Sequence, residues 1–350
     1  MVKIYLLMSC TFILLFFCFS ILFKKLGIVD KPDGIRKIHK GEIPMSGGFS
    51  FFASFLLIIF FIEPGISKEG FVGIQEVKQV LFISPIILFL GVWDDIKPLP
   101  TSIRLIFQIF ASWLVIIITD VYLLNLGDLL GFGNFYLGAS GIPLTIFMVV
   151  GVCNAFNLID GMDGLVGIIF LVLCVAITAI TSLNSTQEVL FLAPIIALIF
   201  LAFNLGLLGK NQKIFLGDSG STWIGFITAW TLVILSQAET LSFQPVTALW
   251  FIMLPLIDAL STFLSRLWNR KSMFIADRTH IHHMLLDFGL KKEVVLLIFL
   301  FISLLSSGFG IYANFNSVSD SKQFYGFLTI WFFYYLLIKY PLTNNHKKVL

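Results

Sequence analysis

The stretch Asn154-Ala-Phe-Asn157-Leu-Ile-Asp160-Gly-Met-Asp163-Gly-Leu165 decides how this chain is read. It closes an apolar run, Ile142 to Val152, that otherwise has the character of a membrane span. Two amides and two carboxylates follow one another at three-residue spacing. Side chains three apart share a helix face, so Asn157 and Asp160 can aim at one ligand. Asn154 and Asp163 are nine apart and would fall on opposite faces of an unbroken helix. Gly161 and Gly164 predict that the helix does not continue unbroken. A helix end, a carboxylate and a glycine together suit the approach of backbone to a charged ligand. Polar oxygens at membrane depth are costly and normally face a cavity or a partner. The competing reading, a polar cap at the membrane surface, loses weight once the remaining clusters are counted.

Working outward, the 350 residues are 58% hydrophobic and 12% charged, with a mean hydropathy of +0.97. Soluble domains average about 25% charged residues. The chain is therefore expected to be an all-α, polytopic integral membrane protein, with residues 1–350 forming one membrane-embedded domain. A net charge of +3 offers no argument for a nucleic-acid partner, and none is expected. Cys10, Cys18, Cys153 and Cys174 all lie in apolar runs and form no C-x-x-C pair, which suggests neither zinc nor a disulfide framework. Ile4 to Phe23 has the length of a span and runs into Lys24 and Lys25 without a small-x-small cleavage site. It reads as a retained first span.

Apolar runs give eleven expected spans, at roughly 4–23, 47–62, 79–93, 102–119, 142–158, 165–182, 189–206, 220–237, 246–265, 293–313 and 324–340. No internal repeat of the kind seen in many transporters is evident. Nineteen of the 23 Lys and Arg fall on the face that carries segment 24–46. The positive-inside rule makes that face cytoplasmic, with the N-terminus outside and the C-terminus inside. Every unusual polar cluster then falls on the cytoplasmic side, so distant segments can build one site there.

Each cluster has its own chemistry. Lys31, Arg36, Lys37 and His39 form a basic loop able to hold a phosphate or to meet lipid headgroups. Asp94 and Asp95 end an apolar run. Adjacent carboxylates on a helix cannot point the same way, so they are expected to do separate jobs, one on a metal or as a base and the other on a cation. Asp218, at the start of a span, suits a magnesium ligand with Asn157 as a second protein donor, or a helix cap. Asp277, Arg278, His280, His282 and His283 hold three of the five histidines. The Asp- and Asn-rich surroundings favour a hard cation over zinc, leaving these groups for pyrophosphate oxygens. Neither a Walker A motif nor H-E-x-x-H is present.

These motifs resemble those of the polyprenyl-phosphate N-acetylhexosamine-1-phosphate transferases. The resemblance rests on DKPDGIRKIHKGEIPMSGG, Asp94 with Asp95, NAFNLIDGMDGL, FLGDSGSTWIGF and DRTHIHH, in that order. HIHH, NLGLLG and PVTALW resemble the bacterial undecaprenyl-phosphate GlcNAc-1-phosphate transferases that start O-antigen and other surface glycans. The resemblance implies a multi-pass enzyme of the bacterial cytoplasmic (inner) membrane with its site facing the cytoplasm. Undecaprenyl phosphate would attack UDP-GlcNAc, releasing UMP and forming a lipid-linked diphosphate sugar. It implies Mg2+ or Mn2+ on Asp218 and Asn157. Asp94, Asp95, Asp160, Asp163 and His280 would form the catalytic set. Lys31, Arg36, Lys37, His39, Arg104, Asn154, Arg278, His282 and His283 would bind substrate. A homodimer is left open.

Where family members often carry a basic residue eight positions after the first Asp of the pair, this chain has Ser102, with Arg104 and Lys97 nearby. Which cation meets the lipid phosphate is open at this point. So is the sugar: UDP-GalNAc or UDP-MurNAc-pentapeptide would serve the same chemistry. A transporter would place polar clusters on both faces, which the pattern argues against.

Overall fold

The computed structural model describes residues 2–32, 41–62, 73–181, 191–237, 242–268, 270 and 280–339. The chain is mostly helical, and each of the eleven expected segments contains helix. In order these are α1 (Val2–Leu26), α2 (Gly47–Ile62), α3 (Ile74–Ile83) and α4 (Pro85–Ile96), α5 (Thr101–Thr119), α6 (Gly141–Ile159) and α7 (Leu165–Thr181). They continue with α8 (Leu192–Asn204), α9 (Gly217–Gln237), α10 (Pro245–Phe251) and α11 (Met253–Trp268), α12 (Ile281–Asp287), α13 (Lys292–Phe315) and α14 (Asp320–Tyr334). Six helical stretches among the described residues are long and apolar enough to cross a membrane, or seven if the bent α10–α11 pair is one span. α2, α7 and α8 are apolar but shorter. The protein is a multi-pass membrane protein.

Helix α9 is the axis. It is an apolar helix with 94% of its spanning window buried inside the protein, against 28% for α1 and α5. In lipid there is no hydrophobic drive between helices, so close approach relies on small residues. Three crossings on α9 show this. Gly48 of α2 meets Gly220, where an added Cβ would lie 2.7 Å from the Gly220 Cα. Gly91 of α4 lies against Ser219 so closely that no side chain fits. Gly225 lies against Cys153 of α6 in the same way. Those contacts bring α2, α4 and α6 onto the first three turns of α9, close to Asp218.

Two elements break where a straight span was expected. The segment at 246–265 is α10 and α11 bent by 87°. α6 stops at Ile159, with Asp160 as its C-cap and Gly164 at φ +83°, before α7 begins at Leu165. The predicted interruption after Asp160 is therefore present. A two-stranded antiparallel ribbon, β1 (Val29–Asp30) with β2 (Ile43–Pro44), brings the basic-loop flanks onto the same end. The Phe215 amide donates to the Pro44 carbonyl (2.9 Å), and the Gly47 amide donates to the Phe215 carbonyl (3.0 Å), stitching this ribbon to the segment leading into α9.

Candidate active site

The four polar side chains of the opening stretch diverge once the helix ends. Asn154 Nδ2 donates to Gln108 Oε1 of α5 (2.9 Å) and to the Val150 carbonyl (2.7 Å). Asn157, one turn on, donates from Nδ2 to Asp218 Oδ1 (2.8 Å) and to Ser221 Oγ (3.1 Å). Asp163 takes Lys213 Nζ at 2.7 Å, and that ammonium also lies 5.2 Å from the Phe215 ring centre. Asp160 makes no ion pair among the described residues. Burial, and then the charges of Asp218, Asp95 and Asp163, push its carboxyl well above the usual carboxylate range.

Asp94 and Asp95 do separate jobs. Asp94 is buried at the last turn of α4. Its Oδ1 accepts from the Leu99 amide (2.6 Å) and its Oδ2 from Arg104 Nη1 (3.0 Å). A carboxylate at a helix C-terminus opposes the helix dipole, and Arg104 offsets that charge. Asp95 points to α9: its two oxygens accept the amides of Asp218 (2.7 Å) and Ser219 (3.2 Å). These are free amides at the helix start, so Asp95 caps α9 from another helix. It thereby fixes the backbone of Asp218. The Arg104 side chain is 29% exposed and also reaches Thr101 Oγ1 (3.4 Å).

The histidines form a second group. His280 precedes α12, and its Nδ1 lies 2.7 Å from Asp258 Oδ2. The rings of His280 and His282 are nearly parallel with centres 6.1 Å apart, and His283 follows at 4.1 Å from His282. His282 is fully buried, and neither ring nitrogen has a hydrogen-bond partner among the described residues. Burial, then the neighbouring His283, pushes His282 down to about 3, so the ring is neutral. His282 Nε2 sits against Gly161, where any side chain would collide with it. The histidine row therefore abuts the Asp160 turn.

Lys31 is exposed and pairs with Glu42 (3.2 Å). Arg36, Lys37, His39 and Arg278 lie outside the described residues. Four residues not singled out in the sequence also take part. Asn204 accepts from the Gly164 amide and donates to the Ile214 carbonyl (2.8 Å), tying the Asp163 turn to the segment before α9. Lys213 pairs Asp163, Gln108 holds Asn154, and Asp258 holds His280. A lone carboxylate within an apolar span was the available signal for Asp258.

Among the described residues no three His, Cys, Asp or Glu side chains converge as a cation cage. Magnesium does not need one. It is commonly held by one or two carboxylates with waters and substrate phosphates completing the shell. Asp94 and Asp163 are ion-paired and Asp95 is capped onto α9, whereas Asp160 and Asp218 have no ion pair among the described residues. Hard oxygens crowded together without a counter-charge, with Asp160 pushed towards its neutral form by burial and its neighbours' charges, are what a divalent cation would ionise and pair.

The profile of glycosyl transferase family 4 matches residues 77–236, which hold the Asp pair, the opening stretch and Asp218. The chain is 33% identical over 319 residues to the undecaprenyl-phosphate alpha-N-acetylglucosaminyl 1-phosphate transferase of Salmonella typhi, covering 90% of this chain and 84% of that one. The chain belongs to this family. It is 34% identical over 321 residues to the enzyme of the same name from Escherichia coli K12, covering 90% of this chain and 85% of the relative. The Haemophilus influenzae enzyme of that name is 32% identical over 313 residues, or 88% and 86% of the two chains. As a family 4 member the chain places the polar groups of α4, α6, α9 and α12 at one end of its bundle.

Proposed function

We propose that this protein transfers GlcNAc-1-phosphate from UDP-GlcNAc to undecaprenyl phosphate at the cytoplasmic face of the bacterial inner membrane. An oxygen of the lipid phosphate forms a bond to the sugar-linked phosphorus, and the bond from that phosphorus to the UMP oxygen breaks. The products are undecaprenyl-diphospho-GlcNAc and UMP, a first lipid-linked step for O-antigen or another surface glycan. What carries the reading is the convergence of Asn157, Asp218, Asp94–Arg104 and Asp163–Lys213 at one bundle end, in a chain whose relatives are transferases of this kind.

A phosphate monoester has a second pKa of about 6. At neutral pH the acceptor is largely dianionic and needs little help losing a proton. Positioning and charge offset then matter most, as in phosphoryl transfer generally. Arg104 is the cation for the lipid phosphate, taking the place left open by Ser102, and Asp94 orients it. Asp218 and the Asn157 amide oxygen would hold Mg2+ or Mn2+, which when bound offsets charge on the pyrophosphate. Lys213 and Asp163 flank the nucleotide. The histidines face the pyrophosphate or sugar.

The test is UMP release by purified protein with undecaprenyl phosphate and Mg2+, offering UDP-GlcNAc, UDP-GalNAc and UDP-MurNAc-pentapeptide separately. Turnover with UDP-GlcNAc alone is expected, with loss of at least about 100-fold in Asp218→Asn and on chelation, in line with removal of a principal charge-stabilising group. Turnover with another sugar alone would move the substrate and keep the chemistry. UMP from none of them would overturn the reading. Whether the enzyme is a homodimer, left open by the sequence, is read from the mass of the solubilised particle.

A further inference from the structure

Asp258 lies inside α11 and is 2% exposed. Its Oδ2 lies 2.7 Å from His280 Nδ1. Its Oδ1 accepts from the Ile281 amide (3.2 Å), the Tyr334 hydroxyl (3.0 Å) and Lys339 Nζ (3.2 Å). Lys339, fully buried, also donates to Thr262 Oγ1 (2.7 Å). A buried carboxylate persists only when paired and hydrogen-bonded, and Lys339 supplies the opposing charge. The other ring nitrogen of His280, Nε2, is buried without a hydrogen-bond partner among the described residues. Buried polar atoms are rarely left so, and an exception commonly marks a ligand or a catalytic role.

We infer that Asp258 is a positioning residue for the transfer reaction, holding the His280 proton on Nδ1 so that Nε2 presents its lone pair to a hydroxyl of the sugar. This rests on the reaction proposed above. An ionised carboxylate only accepts hydrogen bonds, so Nδ1 must carry hydrogen. Any proton that His280 gains or gives up then moves at Nε2. The same carboxylate holds the Ile281 amide, so ring and backbone are fixed together. His282 continues the row towards Gly161 and Asp160. A merely structural Asp258–Lys339 pair would have no use for the orphaned Nε2.

Asp258→Asn gives a sharp test. Three donors converge on Oδ1, so the amide oxygen must stay there and the amide nitrogen must face His280. That N–H needs a lone pair on Nδ1, which forces the ring proton onto Nε2. The tautomer is read by 15N NMR of the full chain labelled at its five histidines, with His280 assigned from its missing signal in His280→Gln. The expected result is an Nδ1–H ring in the natural protein and an Nε2–H ring in Asp258→Asn. kcat for UMP release should fall on the order of 100-fold or more, as for other wrong-tautomer histidines, with KM for both substrates within about threefold. Trp331→Phe removes a neighbouring hydrogen bond from α14 to Ser261 of α11 (3.0 Å) and controls for packing. It should lower thermal stability without moving the tautomer. An unmoved tautomer in Asp258→Asn, a moved one with kcat within threefold, or an equal kcat loss in Trp331→Phe overturns the inference. The tautomer is read without turnover, so a natural protein that releases no UMP would sink the substrate reading separately.

Discussion

At the scale of single residues, neighbours in sequence can be strangers in space. Asp94 and Asp95 are adjacent, yet one holds Arg104 and the other caps α9. Their variants should separate accordingly. Asp95→Asn leaves one oxygen for two amides, which costs about 1–2 kcal/mol of stability. The expected outcome is a lower melting temperature in detergent, with activity falling as Asp218 shifts. Asp94→Asn should instead raise KM for undecaprenyl phosphate more than for UDP-GlcNAc, because Arg104 loses its orienting charge. Equal changes in both KM values would count against that role. His282 gives a pH signature. Its folded pKa, about 3, lies below the ordinary 6.5. The unfolded chain thus binds a proton between those values that the folded chain does not. Its contribution is fully present above pH 6.5 and is lost as pH falls. At pH 5 the loss is about 2 kcal/mol, at 1.36 kcal/mol per pH unit. His282→Gln should flatten the acid side of the melting-temperature profile; an unchanged slope would show that the ring is not held neutral. The three-residue spacing at 154–163 disclosed the polar groups but not their partners, because partners such as Gln108 and Lys213 come from other helices.

At the scale of elements, hydropathy was a good guide to where helices lie and a poor one to how they end. The runs at 47–62 and 165–182 are α2 and α7 nearly to the residue. Hydropathy conceals an 87° bend in the run at 246–265 because both halves are apolar; the signal lay in Pro255, which has no amide to donate to the Phe251 carbonyl where α10 ends. The centrality of α9 was equally hidden. Its composition is that of any span, and only its small residues, Gly217, Ser219, Gly220, Ser221 and Gly225, hint at close neighbours. Gly91→Ala tests this packing. An added methyl meets the Ser219 backbone, and overpacking of this sort costs about 1–3 kcal/mol. Asp94 and Asp95 lie one turn further along α4, so UMP release should fall together with stability. Gly151→Ala on α6, where an added Cβ has open space, should change neither. Equal behaviour of the two variants would refute a packing role for the α4–α9 crossing.

At the scale of the whole molecule, the chain separates its polar groups by end. The Asp95, Asp160, Asp218, Lys213 and His282 groups meet at one end. At the other, Gln237 takes the amides of Leu124 and Asn125, Asp320 takes the Asp128 amide, and Asn314 donates to the Ser242 carbonyl. This division was legible from sequence because a span has only two ends, so the parity of the spans sorts the loops. Which end faces the cytoplasm rests on the charge bias, and a direct measurement decides it. Asn134 and Asn211 are exposed and lie at opposite ends of the bundle. Each can be made the single cysteine in a chain whose four natural cysteines are replaced by alanine or serine. A membrane-impermeant maleimide applied to spheroplasts should label Asn134→Cys at once and Asn211→Cys only after permeabilisation. UDP-linked sugars are made in the cytoplasm, so a site able to use them must lie on the side that the reagent cannot reach. Prompt labelling of Asn211→Cys would put the carboxylates on the wrong side of the membrane for a nucleotide donor, and the transfer reaction would fail with them.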